Sequence, residues 1–162
     1  MDNNPDLTYY ENENLAVFPE EKIVTDGLWS ECDLINGVGG KERRNVYERY
    51  CLKHKFLDVT HPTAIHTGNI EFGNGHQIMA GAVIQPGVKI GKNVLINTRA
   101  SIDHDCTIGD HTHIAPGVIV CGGVKIGKEC FIGAGTTIIQ NVTIEDNSFI
   151  PAGSIITKDV HV

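Results

Sequence analysis

The sequence predicts an all-β solenoid, a parallel β-helix of hexapeptide repeats, preceded by a small partial βαβ (Rossmann-like) segment. Two observations carry the solenoid. From Phe72 to Ile156 every sixth residue is apolar, reading Phe72, seven isoleucines, Val120 and six more isoleucines without a slip of register. The residue two places before each, from Ala82 to Ser154, is always Ala, Val, Cys, Thr or Ser, small enough for the inside of a narrow coil. A third observation carries the leading segment: residues 1–60 lack the six-residue rhythm and show helical spacing instead. The domain reading is therefore 1–60 for the α/β piece and 61–162 for the solenoid.

Within the first piece, Asp33–Asn36 reads as a short strand ending at Gly37. Residues 41–55 read as a helix, with Val46, Tyr47, Tyr50, Cys51 and His54 at three- and four-residue spacing on one face. Phe56–Val59 reads as a second strand, and His61-Pro62 closes the unit because proline biases its neighbour away from helix. In the second piece three hexads make one triangular coil, so residues 18 apart stack at about 4.8 Å. Fifteen hexads make five coils. The isoleucines fill the interior, where β-branched side chains suit a pleated wall. Gly91, Gly109, Gly127 and Gly133 fall at corners, where a Cβ would clash. The leading segment is expected to cover one open end of the solenoid, and the other end, near Val162, to be almost bare.

Composition narrows the function. Thirteen Lys and Arg against twenty Asp and Glu give a net charge of -7, unlike the basic footprint of a nucleic-acid binder. No apolar run approaches the roughly 20 residues that span a bilayer, and Met1–Pro5 has neither the basic nor the apolar part of a signal peptide. The five cysteines form no disulfide framework, and Cys106 and Cys130 occupy the small inward position. Buried thiols and a reducing cytoplasm are the expectation, with no membrane insertion.

The chemistry concentrates where the repeat makes no demand. Between Ile102 and Gly117 lie three histidines, His104, His111 and His113, with Asp105 beside His104. A histidine oriented by a carboxylate is the commonest general base. Stacking places Gly122 one coil above His104, where a glycine lets a ligand approach a backbone N–H able to polarise a thioester carbonyl. Ala134 and Ala152 are likewise 18 apart and leave a shallow groove. Cys121 reads as a small corner residue. His113 stands just before an inward isoleucine, where turn residues reside. Any of the three histidines could also be plain surface.

The core IDHDCTIGDHTHIAPG and its continuation VCGGVKIG resemble the sialic-acid O-acetyltransferase and UDP-4-amino-sugar N-acetyltransferase family, as do HPTAI (61–65) and IMAGAVI (78–84). The resemblance implies a left-handed β-helix, acetyl-CoA as acetyl donor without a metal, and a homotrimer with sites between neighbouring copies. It implies a sugar or nucleotide-sugar acceptor in bacterial surface-glycan synthesis. Carried over by residue, His104 is the general base and Asp105 raises its basicity. His113, Gly122, Ala134 and Ala152 contact acetyl-CoA. Asn97, Asp2 and Gly37 contact the acceptor. Transfer is direct, with no acetyl-cysteine.

The chain departs from that pattern in lacking a strand, Gly-rich loop and helix at its start. Gly37-Val38-Gly39-Gly40-Lys41 has neither the GxGxxG nor the GxxxxGK[ST] spacing and reads as a helix-entry turn. Acceptor identity and the choice between nitrogen and oxygen stay open. Two other readings stand beside the acetyltransferase: a non-catalytic solenoid subunit retained for assembly, and a γ-carbonic-anhydrase-like zinc enzyme using His76, His111 and His113.

Overall fold

The computed structural model describes residues 32–40 and 42–162. From β1 (Val59–Thr60) to β17 (Ile155–Ile156), a two-residue strand starts at every sixth position. Each strand pairs in parallel with the strand 18 residues away, as in Ile96↔Ile114↔Ile132, so the chain winds as a triangular parallel solenoid. Three sheets form its faces, two of six strands and one of five.

The second residue of each strand points inward. Ile96, Ile102, Ile114, Ile132 and Ile138 have no solvent exposure. The small position two residues earlier is buried as well, from Ala82 through Ser148. Where that residue is polar, it bonds a corner carbonyl: Thr112 Oγ1 donates to Gly127 O at 2.8 Å and the Cys106 thiol to Cys121 O at 3.1 Å. Burial pushes the Cys106 thiol up to about 11, so it stays protonated and inert, as the inward reading of this cysteine requires.

Corners repeat as strictly as strands. One residue per hexad takes a left-handed φ, among them Asn93 at 53°, Asp105 at 59°, His111 at 60° and Gly117 at 68°. Its N–H donates to a carbonyl of the coil before, as Gly123 does to His104 O at 2.9 Å. The predicted corner glycines are sterically required: a Cβ on Gly109 would stand 2.5 Å from the carbonyl carbon of Gly127.

The outward residues distinguish the faces. One presents Glu71, Lys89, Thr107, Lys125 and Thr143 and is polar. A second presents Ile65, Val83, Ser101, Ile119, Thr137 and Ile155; Ile119 is 48% exposed and Ile155 73%, so this apolar face is uncovered. The third presents Val59, Gln77, Leu95, His113, Phe131 and Phe149, and the segment 36–50 covers its middle.

For the described residues of the leading segment, that placement corrects the expectation that it closes an end. Helix α1 (Glu42–Tyr50) lies along a flank, tied to corners two coils apart by Glu48–Lys92 at 3.0 Å and Arg44–Glu129 at 3.0 Å. Gln77 and His113 offer polar partners there, to Arg43, Asn36 and Gly40. The helix is shorter than its apolar spacing suggests: after Tyr50 the chain continues in turns, with Lys53 N–H bonded to Tyr50 O. The second strand is also divided. Phe56 makes a one-residue parallel bridge with Leu34, whereas Val59 already belongs to the solenoid. Phe72, expected inside, is 36% exposed because its sheet begins there, and its ring stacks on His76 at 4.6 Å. Beyond the last coil Val160 bridges Ile144, so that end is partly paired rather than bare.

Ile114 is fully buried in the interior column. Ile114→Ala is expected to lower unfolding free energy by about 2–5 kcal/mol, measured by urea titration.

Candidate active site

His104 and Asp105 occupy the corner between the apolar and polar faces. Asp105 takes the left-handed turn position at φ 59°, which aspartate tolerates better than most residues. This brings its Oδ2 to 2.8 Å from His104 Nδ1. Nδ1–H donates to the carboxylate, so Nε2 carries the free lone pair. The Asp105 hydrogen bond, and then the charge of Asp103, raise the His104 pKa above its ordinary 6.5. Both side chains are open to solvent, at 63% and 73% exposure.

Gly122 stands directly over this imidazole. A Cβ there would lie 2.7 Å from His104 Nε2 and 2.8 Å from Cε1, so no other residue fits without moving the ring. Among the described residues, no group of the chain accepts the Gly122 N–H. A base nitrogen and an unpartnered backbone donor thus adjoin at one corner, the arrangement that proton transfer with carbonyl polarisation needs.

The other expected residues lie elsewhere on the chain. Asn97, Ala134 and Ala152 occupy the corner between the covered and apolar faces, the far edge of the apolar face from His104. Ala134 and Ala152 do stack, with Gly153 N–H bonded to Ala134 O at 2.8 Å, and both are exposed. His113 is not a turn residue: it opens β10 (His113–Ile114) on the covered face and is buried. Its Nδ1 is 3.3 Å from the Gly40 N–H and its Nε2 3.3 Å from the Asn97 amide nitrogen. Burial first, and then the charge of Arg43, lower its pKa to about 4, so it is neutral. Gly37 is exposed, and a Cβ on it would meet nothing within 4 Å. Asp2 lies outside the described residues.

The histidines of the zinc reading are engaged by protein. Glu48 Oε1 lies 3.2 Å from His111 Nε2, the Asn93 amide 2.9 Å from His111 Nδ1, and Gly73 O 2.9 Å from His76 Nδ1. Among the described residues, no group of three His, Cys, Asp or Glu is placed to hold a metal ion. No described helix is long and apolar enough to cross a membrane.

Sequence reasoning missed a buried polar junction of Asn36, Arg43, Gln77 and Asn93 beneath α1. Asn36 Nδ2 donates to Asn93 Oδ1 at 2.9 Å, and Gln77 Nε2 to Asn36 O at 2.6 Å. Asn93 passes for a turn residue because it sits in the left-handed corner column. Arg43 had a signal: with Tyr47 and Tyr50 it completes the inward helical spacing, and all three are buried.

Comparison with known proteins adds a lineage to this geometry. The bacterial transferase hexapeptide family, of six repeats, matches residues 87–122, 105–140 and 123–158. The acetyltransferase domain of PglB from Neisseria gonorrhoeae FA1090 aligns at TM-score 0.84 and 31% identity, over 91% of this chain and 74% of that one. The same domain in complex with acetyl coenzyme A aligns at TM-score 0.76 and 34% identity, over 79% and 63%. A mutant of perosamine N-acetyltransferase from Caulobacter crescentus, in complex with CoA and GDP-perosamine, gives 0.76 and 30%, over 79% and 62%. The chain therefore spans under two thirds of the length of these two ligand-bound structures.

The His104–Asp105 pair makes a direct prediction. By NMR titration His104 is expected to titrate above 6.5, and Asp105→Asn to return it toward that value.

Proposed function

Because the chain belongs to the hexapeptide-repeat sugar acyltransferases, we propose that it transfers an acetyl group from acetyl-CoA to an amino group of a nucleotide-linked sugar in bacterial surface-glycan synthesis. The observation that carries this reading is the His104 ring, held by Asp105 and packed against Gly122, whose backbone N–H has no acceptor among the described residues.

The residues fit acetyl-CoA. Ala134 and Ala152 present only methyl groups at one edge, and a Cβ on the neighbouring Gly135 or Gly153 would meet nothing within 4 Å, leaving room for an extended ligand. Acetyl-CoA supplies the acyl group as a thioester with a thiol leaving group. His104 Nε2 takes the proton of the attacking amine. The resulting imidazolium is stabilised by Asp105 and returns the proton to the departing sulfur. The Gly122 N–H donates to the negative charge developing on the acyl oxygen. Asp103 and Asp105 surround the base with negative charge. That field favours an amino group at the base. The similar Caulobacter protein is named an N-acetyltransferase, which supports the amine.

The reaction needs more than one copy of the chain. His104 and Gly122 line one edge of the apolar face, and Asn97, Ala134 and Ala152 line the other. Packing the exposed Ile65, Ile119 and Ile155 against a second copy brings unlike edges together. Such a heterologous interface closes as a ring, and a homotrimer is the ring proposed here.

Thiol release from acetyl-CoA with UDP- or GDP-linked amino sugars tests the activity. His104→Ala is expected to lower kcat by about 10²–10⁴-fold, and Gly122→Ala to impair turnover by displacing the ring. No turnover with any amino sugar, or undiminished activity in His104→Ala, would overturn the proposal. Mixed assemblies of His104→Ala with Ala134→Trp, each inactive alone, are expected to regain about a quarter of the parent activity, because one site in four then draws both intact edges. A site confined to one chain would regain none.

A further inference from the structure

Among the described residues, the junction under α1 contains one charge that no opposite charge balances. Arg43 is fully buried, and its guanidinium reaches only neutral acceptors. Nε donates to Asn93 O at 2.8 Å, while Nη1 lies 3.0 Å from Asn36 O, 2.9 Å from Val38 O and 3.2 Å from Gln77 Oε1. Among the described residues, Nη2 has no acceptor. Burial lowers the Arg43 pKa to about 10, so the group remains a cation at neutral pH. A buried, unpaired cation is costly, and its bonds show where the effect is concentrated. Two of them hold the Asn36 and Val38 carbonyls, the stem of the loop that ends at Gly40.

Gly40, at a left-handed φ of 66°, directs its N–H to His113 Nδ1 at 3.3 Å. On the opposite side of the ring the Asn97 amide nitrogen faces Nε2 at 3.3 Å. A neutral imidazole accepts at one nitrogen and donates at the other, so both contacts cannot be N–H donations to the ring. The Gly40 N–H belongs to a pinned backbone and cannot turn; the Asn97 amide turns by giving up the Thr98 N–H that its Oδ1 accepts at 2.8 Å. Nδ1 is therefore the acceptor, and Nε2 bears the proton at the edge that Asn97 begins.

We propose that Arg43 is a positioning residue: by holding the Asn36–Gly40 loop on His113 Nδ1, it fixes His113 as an Nε2–H donor to the acyl donor. The clause about the acyl donor rests on the reading that the edge of Asn97, Ala134 and Ala152 receives acetyl-CoA; the tautomer does not. The unbalanced charge assists by opposing protonation of the ring. Among the described residues, Arg43 is the charge that acts on the ring: Leu95 and Phe131 flank it on the neighbouring strands, and Gly39, Gly40 and Asn97 lie against it.

The test is a two-bond ¹H–¹⁵N spectrum of the full chain labelled at histidine nitrogens, recorded from acid to neutral pH, with His113→Gln assigning the signal. The parent is expected to show the Nε2–H tautomer and no titration until about pH 4. Arg43→Met is expected to mix the tautomers and raise the titration by about one pH unit or more. Arg43→Lys keeps the charge but loses the fork; it is expected to mix the tautomers, keep a low titration, and lower kcat about tenfold at unchanged acceptor KM. An Nδ1–H tautomer in the parent, or an unaltered His113 in both variants, overturns the inference. Should Arg43→Met not fold, the parent spectrum and Arg43→Lys decide. An inactive parent would sink the proposed reaction while the tautomer result is still read independently.

Discussion

The register of the parallel ladder is the constraint on which everything else depends. Each strand is only two residues long, too short to hold a position alone. It is held because its backbone pairs with the coils above and below while its isoleucine enters a column of isoleucines. A one-residue slip would turn that isoleucine outward and the polar residue inward. The same ladder aligns the corners, so a residue 18 places on stands over its counterpart. The geometry of the candidate site follows from that alignment: Gly122 covers the His104 ring because the coils cannot shift.

The candidate site lies at a corner, where the repeat leaves the side chains freer than in a strand. A strand position must face either the interior or a sheet surface, and its chemistry is constrained accordingly. A corner needs only one left-handed residue, a role that glycine, asparagine and aspartate fill with little strain. At Asp105 the strand-to-strand turn also delivers a carboxylate to the preceding histidine. At Asn93 the same backbone conformation delivers an amide inward to the segment that covers the flank. One turn geometry thus builds both an open site and a buried joint.

The three faces divide the remaining work. The polar face meets solvent, the covered face binds the 36–50 segment, and the apolar face lies between two edges of complementary content. Residues attributed to one site therefore occupy different edges of the chain, and their distribution fits a site assembled by association. His113 joins these roles, since it lies beneath the Gly40 loop and reaches Asn97 at an edge of the apolar face.

The solenoid, its register, the buried state of Cys106 and Cys130 and the meeting of Gly122 with His104 were legible in the sequence, because a fixed six-residue period converts chain position into height and direction. The pairing of Asp105 with His104 was legible too, being local. Other features were not, because they depend on contacts between parts of the chain that the period does not relate. The sequence could not place the leading segment on a flank, since that depends on Arg43, Asn36, Gln77 and Asn93 finding one another across up to 57 residues. Nor could it show that His113 is buried and neutral, which follows from the loop above it. Period determined the scaffold and the stacking of Gly122 on His104; only tertiary packing decided which histidine is open to solvent and which is held beneath a loop, because burial and charge are properties of neighbours rather than of spacing.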